Sequence, residues 1–249
     1  MNLKFPISLV GKSGSSIPDN ISLMPVYYAD LDDATGTTQI GPTNLYPSTR
    51  SGTGTITANP TGAPDGQGSS IVSATAGFNR GGYASQLNMA NVTAYSVSYW
   101  FKADQVLGSG ATNGQIAAYW GKVNNENFRF LAGDSTGDIL AYSPRQTNPD
   151  ITAGSIQAGE WYHVVATWDY TEYKFYVNGV LIDIKPTTLK SLWLGSGALW
   201  IGSDPYNYAN QRFSGEVAMF GLWREVITSD DVLYMYNGGM GRRFADITV

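Results

Sequence analysis

Apolar and polar residues alternate in short segments along the second half of this chain of 249 residues. In residues 95–102, YSVSYWFK, every odd position is aromatic or valine, and serine or lysine occupies three of the four even positions. A period of two is typical of a β-strand with one buried face. Similar strands are predicted at residues 116–120, 127–131, 139–143, 161–168, 173–177, 180–184, 199–202 and 213–223.

Two local signals predict where elements end. Asn178-Gly179 separates the apolar runs at 173–177 and 180–184, and both residue types tolerate the positive φ that a two-residue hairpin requires. Near the C-terminus, Thr228 is suited to cap a helix, with Asp231 three residues later. An apolar face follows and ends at the glycines 238 and 239. The sequence therefore predicts one hairpin at 178–179 and one short helix at 229–236.

The first part of the chain has weaker patterns. A strand is predicted at residues 24–31, and residues 32–70 are rich in Thr, Gly, Ser, Pro and Asn. We interpret them as ordered loops with short strands, such as 53–58, and not as a disordered linker. The predicted fold class is all-β: a two-sheet antiparallel β-sandwich with one short C-terminal helix. The predicted organisation is an N-terminal arm (1–21), the sandwich (22–239) and a C-terminal tail (240–249).

Several segments resemble a known family. GEWYHVVATWD at 159–169 and KFYVNGVL at 174–181 are similar to the central strands and hairpin of laminin-G-like domains, and 95–102, 200–202 and 213–217 resemble flanking strands. The resemblance covers residues 23–239, weakly at 40–80. It implies the concanavalin A-like jelly roll of the lectin/glucanase superfamily. Members bind glycans, proteins or lipids, and others hydrolyse glycans, so function has to be argued from sites.

Composition excludes several classes of partner and site. The chain has 15 Lys plus Arg against 20 Asp plus Glu, a formal charge of −5, and no basic cluster, which argues against nucleic-acid binding. It contains no cysteine and one histidine, which excludes disulfides, thiolate sites and sites with two imidazoles. No apolar run is long enough to span a membrane. The N-terminus lacks a secretion signal, so synthesis in the cytoplasm is expected.

The acidic residues do not form the pattern of a glycan hydrolase. Such enzymes need two carboxylates about 5–9.5 Å apart, and the alternating Glu-x-Asp-x-x-Glu arrangement is absent. Residues 133–137, GDSTG, match a serine-nucleophile motif only formally, because they lie between strands. The one histidine, His163, is interpreted as a hydrogen-bonded structural residue. The protein is predicted not to be an enzyme.

Two groups of aromatic and amide side chains are candidates for glycan or partner binding, because aromatic faces stack on sugar C–H groups and amides pair with hydroxyls. The first group is Tyr206, Asn207, Tyr208, Asn210 and Gln211. The second is Trp120, Asn124 and Asn125. The alternative is that Tyr206 and Tyr208 pack on the edge of the sandwich.

Two pairs of acidic and amide residues are candidates for calcium binding. Asp134 with Asp138, and Asp204 with Asn207, lie in loops between strands. Calcium takes six to eight oxygen ligands, and neither group supplies more than two or three side chains. These residues are also typical of ordinary turns. The sequence therefore predicts no metal and no cofactor, with Asp134, Asp138 and Asp204 as the residues to test.

The N-terminal arm has a pattern suited to assembly. Leu3, Phe5, Ile7 and Leu9 alternate with Lys4, Pro6 and Ser8, as expected for an added edge strand. The arm either pairs with its own sandwich or contacts another copy or a particle surface. We favour the second interpretation and predict a homo-oligomer, with a trimer as the favoured form.

Two hypotheses of function follow from these observations. The first is a non-catalytic structural or adhesive protein of a bacteriophage virion (a capsid decoration, head-fibre or tail protein) that binds neighbouring copies and host or environmental glycans. It explains how an adhesion fold without a secretion signal leaves the cell. The alternative is an extracellular carbohydrate-binding module or glycan hydrolase of a secreted bacterial system.

Overall fold

The computed structural model describes residues 19–32, 46–49, 55–72, 76–80, 89, 92–105, 115–122, 125–132, 138–142, 151–187, 198–202 and 213–247. In the strands at 46–49, 76–80, 115–122, 125–127, 129–132 and 140–142, and at residue 198, the description is of the backbone alone. Among the described residues, no helix is long and apolar enough to cross a membrane.

Fifteen strands and one α-helix lie in the described part of the chain. The strands are β1 (Tyr27–Ala29), β2 (Tyr46–Thr49), β3 (Ile56–Asn59), β4 (Ser69–Val72), β5 (Ala76–Arg80), β6 (Tyr95–Ala103), β7 (Gln115–Lys122), β8 (Asn125–Ala132), β9 (Asp138–Tyr142), β10 (Ile151–Ser155), β11 (Trp161–Trp168), β12 (Glu172–Val177), β13 (Val180–Pro186), β14 (Ala198–Ile201) and β15 (Gly215–Trp223). The helix is α1 (Ser229–Tyr236). Short 3₁₀ turns follow at Asn237–Gly239 and Phe244–Asp246.

The strands form two antiparallel sheets. An eight-stranded sheet has the order β13-β12-β11-β6-β15-β4-β3, with β1 also paired to β15. A seven-stranded sheet has the order β10-β9-β8-β7-β14-β5-β2. Strands that are neighbours in a sheet are often distant in the sequence, as β6 and β15 are. The predicted all-β, two-sheet antiparallel fold with one short C-terminal helix is confirmed.

The main hydrophobic core lies between the sheets and follows the predicted alternation. Tyr95, Val97, Tyr99 and Phe101 of β6 are fully buried in it, which confirms the face assignment from YSVSYWFK. Leu199 and Ile201 contribute from β14 of the other sheet. Burial of large apolar side chains is the dominant favourable contribution to such a sandwich, at about 1.5–3 kcal/mol for each fully buried one.

A second apolar cluster covers the opposite face of the eight-stranded sheet. Trp100, Val165 and Ala218 project from that face, and Val232 and Met235 of α1 pack in the same cluster. Ile21 and Ile247, from the two ends of the described chain, are also buried there. This sheet is therefore covered on both faces, which explains why Trp100 interrupts the alternation of β6.

The hairpin and the helix begin and end where the sequence predicts. Asn178 and Gly179 have φ of 50° and 78° and connect β12 to β13. The side chain of Thr228 accepts a hydrogen bond from the backbone N–H of Asp231, whose carboxylate accepts from the backbone of Thr228, and this completes a capping box.

Four described strands had no predicted counterpart: β2, β4, β5 and β10. They lie in segments rich in Ser, Thr, Gly and Ala, such as SSIV in β4 and AGFNR in β5. Gly and Ala are disfavoured in strands and the apolar runs here are short, so pairing with neighbouring strands fixes these segments. Residues 240–247, in the predicted C-terminal tail, contact the sandwich, since the Tyr28 hydroxyl donates to the carbonyl of Arg242 at 2.7 Å.

Candidate functional site

One row of residues crosses the seven-stranded sheet at matched register positions. Each member is paired with the next on the neighbouring strand, from β2 through β5, β14, β7 and β8 to β9. We call this set the sheet row. Its members, in spatial order, are Tyr46, Asn79, Trp200, Tyr119, Arg129 and Tyr142.

The sheet row lies on the face away from the core. Leu199 and Ile201 are fully buried in the core, so Trp200 between them belongs to the other face, and it is a member of neither apolar cluster. Phe128 is likewise fully buried in the core, which places the next position, Arg129, on the outer face. On β10, Ile151 and Ala153 are in the core while Thr152 is exposed. The outer face of this sheet therefore opens to solvent at β10.

The composition and length of the sheet row suit an extended polar ligand. Four of its members are aromatic and the other two are an amide and a guanidinium. Neighbouring strands are about 4.8 Å apart, so six strands span about 24 Å, which is the length of several sugar residues. Trp200 is only 3% exposed, so its ring is covered and is not by itself a stacking surface.

A cavity of about 470 Å³ lies elsewhere, beside the eight-stranded sheet. It is formed where the segment after β1, the turn between β3 and β4, and the C-terminal segment meet, and we call it the C-terminal cavity. Its polar lining includes Asp30, Asp32, Asp65, Gln67, Asn237, Arg243 and Asp246. Met240 and Ala245 also line it.

Arg243 organises one wall of the C-terminal cavity. Its Nε donates to Asp65 Oδ2 at 2.7 Å, and its Nη2 donates to Asp65 Oδ1 at 3.2 Å and to the carbonyl of Gly68 at 2.5 Å. The side chain is 9% exposed. Its Nη1 has no hydrogen-bond partner among the described residues, and Asp32 Oδ2 lies 3.8 Å from it. The guanidinium is thus buried with one nitrogen lacking a hydrogen bond.

The carboxylates around Arg243 differ in their proton affinity. Burial raises the pKa of Asp30, and the nearby charges of Asp32 and Asp65 add to this, against hydrogen bonding from the Phe244 N–H. Burial also acts to raise the pKa of Asp65, but hydrogen bonds from Arg243 and Gln67 outweigh it and lower that pKa. Asp65 is therefore the counter-ion of Arg243, whereas burial disfavours the ionised form of Asp30.

Most of the residues that the sequence proposes for binding lie outside the described residues. These are Tyr206, Asn207, Tyr208, Asn210, Gln211 and Asn124, together with the arm residues Leu3, Phe5, Ile7 and Leu9. Trp120 and Asn125 lie in described strands. Trp120 is paired with Leu199 and Phe128, whose side chains are in the core, and Asn125 is paired with Lys122 at the β7–β8 turn. The binding role of all these residues stays a prediction.

The calcium prediction is likewise open. Asp134 and Asp204 lie outside the described residues. Asp138 is described, and its Oδ1 accepts a hydrogen bond from the Ser155 hydroxyl at 2.8 Å. Among the residues that the structure describes, no group of three or more His, Cys, Asp or Glu side chains could hold a metal ion.

His163 has the structural role predicted for it. It is fully buried on the covered face of the eight-stranded sheet, its Nε2 is 2.8 Å from the Ser98 hydroxyl, and its ring stacks on Trp100 at 4.9 Å. This packing leaves no room for a substrate.

Sequence reasoning did not find the sheet row or the C-terminal cavity. The six members of the row are separated by up to 154 positions along the chain, and only strand order and register bring them together. No sequence pattern indicated a binding role for Arg243, because it lies in the predicted C-terminal tail at 240–249. The one local signal was that three of the six members, Tyr46, Tyr119 and Tyr142, are tyrosines.

Comparisons with known proteins agree with the fold. A model of the concanavalin A-like lectin/glucanases superfamily matches residues 75–233. No curated protein matches the sequence. Domain 4 of an extracellular arabinanase from Geobacillus stearothermophilus, solved in complex with arabinotriose, has a TM-score of 0.64 at 15% identity, and the match covers 84% of this chain and 97% of that domain.

Two further solved structures are similar over most of this chain. The binding domain of botulinum neurotoxin serotype D/C has a TM-score of 0.59 at 14% identity, with 86% of this chain and 51% of that one covered. Trypanosoma rangeli sialidase has a TM-score of 0.59 at 14% identity, with 92% of this chain and 35% of the sialidase covered. These likenesses concern the fold, whereas the family model matches well over half of the sequence. The chain therefore belongs to the concanavalin A-like lectin/glucanase superfamily, as the motifs at residues 159–181 predict.

Proposed function

We propose that this protein is a non-catalytic glycan-binding module and that an oligosaccharide lies along the sheet row. The observation that carries the proposal is the register of the row, which aligns three tyrosines, a tryptophan, an asparagine and an arginine across six strands. Aromatic rings stack on the apolar faces of sugars, and amide and guanidinium groups pair with hydroxyls. On the outer face of the eight-stranded sheet, α1 and the apolar cluster around it interrupt the path that a ligand of this length would need.

The composition of the sheet row favours binding over hydrolysis. None of its six members is an aspartate or a glutamate, and cleavage of a glycosidic bond by the usual mechanism needs two carboxylates flanking it. The similar arabinanase domain was solved with arabinotriose, which makes arabino-oligosaccharides a rational first probe for this chain.

Replacing members of the row tests the proposal. Tyr119→Ala and Arg129→Ala should each weaken binding of an oligosaccharide found by glycan array, by about tenfold or more, because each removes a stacking surface or a charged donor. Isothermal titration calorimetry measures the change. Arg224→Ala is the matched control, since Arg224 is an exposed arginine beyond the end of β15.

Two results would contradict the proposal. The first is unchanged affinity in both row variants while the protein remains folded by circular dichroism. The second is release of reducing sugar from any bound glycan, because turnover would make the protein a hydrolase, the alternative considered from its sequence.

We further propose that the module acts as an adhesive component of a bacteriophage virion, with assembly through the arm residues 3–9. The support for this is the sequence alone: the apolar alternation of the arm at Leu3, Phe5, Ile7 and Leu9. Finding the chain by mass spectrometry in purified phage particles is the expected result. Finding it only in culture supernatant, free of particles, would favour the secreted carbohydrate-binding module instead.

A further inference from the structure

We infer that the C-terminal cavity is a second binding site, separate from the sheet row, and that it takes a single neutral or amino-substituted sugar residue. The inference rests on the proposed function in one respect, because both assume that the protein binds sugars. It concerns different residues, on a different sheet, and can therefore fail or succeed independently.

The first observation is the unmet hydrogen-bonding capacity of Arg243. Its Nε and Nη2 are held by Asp65 and Gly68, whereas Nη1 has no hydrogen bond among the described residues although the atom is buried. A buried donor without an acceptor is costly. The nearest carboxylate, Asp32, is 3.8 Å from Nη1, which is too far for a hydrogen bond.

The geometry between Arg243 and Asp32 suits a hydroxyl group. A hydroxyl both donates and accepts, so it could accept from Nη1 and donate to the Asp32 carboxylate. The side chain of Asp32 is 43% exposed and has the freedom to move aside as the ligand enters. The Asp65 pair holds the guanidinium still, so the donor is already oriented before the ligand arrives.

The rest of the lining defines the class of ligand. Asp30, Asp32 and Asp246 supply acceptors, and Gln67 and Asn237 are amides, so the cavity offers the mixture of donors and acceptors that several sugar hydroxyls require. Met240 is 55% exposed at the rim and offers an apolar surface to sugar C–H groups. A cavity of about 470 Å³ is within the usual range for small-molecule sites, about 300–1,000 Å³.

The charges around the cavity argue against two other classes of ligand. Four carboxylates face one guanidinium, so an acidic sugar would be repelled. A metal ion is disfavoured because the carboxylates do not come together as a group of three among the described residues, and Arg243 would lie beside it.

The experiment uses the full chain and a panel of small probes. The probes are the methyl glycosides of glucose, galactose, mannose and arabinose, free glucosamine, and galacturonic acid as the acidic counter-probe. Binding is followed by ligand-observed NMR and calorimetry in the parent protein and in Asp32→Ala. The matched control is Asp183→Ala on β13, whose carboxylate is exposed to a similar degree, 41%.

At least one neutral or amino sugar should bind, Asp32→Ala should weaken it by about tenfold, and Asp183→Ala should leave it unchanged. Ala245→Trp, at an exposed position of the lining, should also weaken binding by filling the entrance. Three results would each overturn the inference. They are no binding by any monosaccharide, a preference for galacturonic acid, and an affinity in both Asp32→Ala and Ala245→Trp that equals that of the parent protein.

The two sites can be told apart in the same experiment. The row variants Tyr119→Ala and Arg129→Ala should bind the monosaccharide as the parent protein does. If they lose it while Asp32→Ala keeps it, the monosaccharide occupies the sheet row, and the C-terminal cavity is not a site.

Discussion

His163 shows how one buried residue makes stability depend on pH. Its ring is fully buried against Trp100 and Tyr236, and its Nδ1 has no hydrogen bond among the described residues. Burial lowers the pKa of His163 from its ordinary value of 6.5 to about 3. Below pH 6.5 the unfolded chain therefore binds a proton that the folded chain does not.

The free energy of unfolding should consequently fall as pH falls from 6.5 towards 3, by up to about 1.4 kcal/mol per pH unit. His163→Gln, which keeps a hydrogen-bonding group near Ser98, should flatten this dependence. Urea unfolding at pH 8, 6.5, 6 and 5 measures it. His163 is the only histidine in the sequence, and the comparison with His163→Gln separates its titration from that of carboxyls such as Asp30, whose pKa burial raises. Equal slopes in the two proteins would show that the ring is protonated in the folded state.

Asp231 shows how a residue ties an element to the rest of the fold. It is 2% exposed and accepts hydrogen bonds from the backbone and hydroxyl of Thr228 at the start of α1. It also accepts from the backbone and hydroxyl of Ser22, more than 200 positions earlier. One carboxylate therefore caps the helix and fixes the N-terminal segment against it.

Asp231→Ala should lower the free energy of unfolding by about 1–3 kcal/mol, because it leaves buried donors without an acceptor. Asp230→Ala is the control, as Asp230 lies in the same helical turn but is exposed, and its loss should cost well under about 1 kcal/mol. Thermal and urea unfolding of the two variants provide the comparison. Equal destabilisation would mean that Asp231 acts only through the helix dipole.

At the scale of the whole molecule, the two sheets have different roles. The eight-stranded sheet is covered on both faces, by the main core and by the cluster around α1. The seven-stranded sheet carries the sheet row on its outer face. One sheet thus anchors both ends of the described chain, and the other carries the row on which the proposed function rests.

The division between arm and sandwich can be tested by truncation. Ile21 is fully buried and Ser22 is bonded to Asp231, so a protein lacking residues 2–16 keeps these contacts. We expect it to fold and to elute as a monomer, with the parent protein eluting as a trimer in size-exclusion chromatography with light scattering. A truncated protein that does not fold would assign the arm to its own sandwich.

The sequence by itself determined the elements whose signals are local. Alternation predicts β6 and its core face, Asn178-Gly179 predicts the hairpin, and Thr228 with Asp231 predicts the start of α1. In each case the deciding interactions join residues within a few positions of one another, so a short segment contains the whole physical cause.

The two candidate sites were decided by tertiary structure alone. The sheet row exists because β14 pairs with both β5 and β7, and a shift of one residue in either pairing would move a member to the core face. Arg243 meets Asp65 across 178 positions because the C-terminal segment folds back on the turn between β3 and β4. Strand order and register depend on how the whole core packs, and no short segment carries that information.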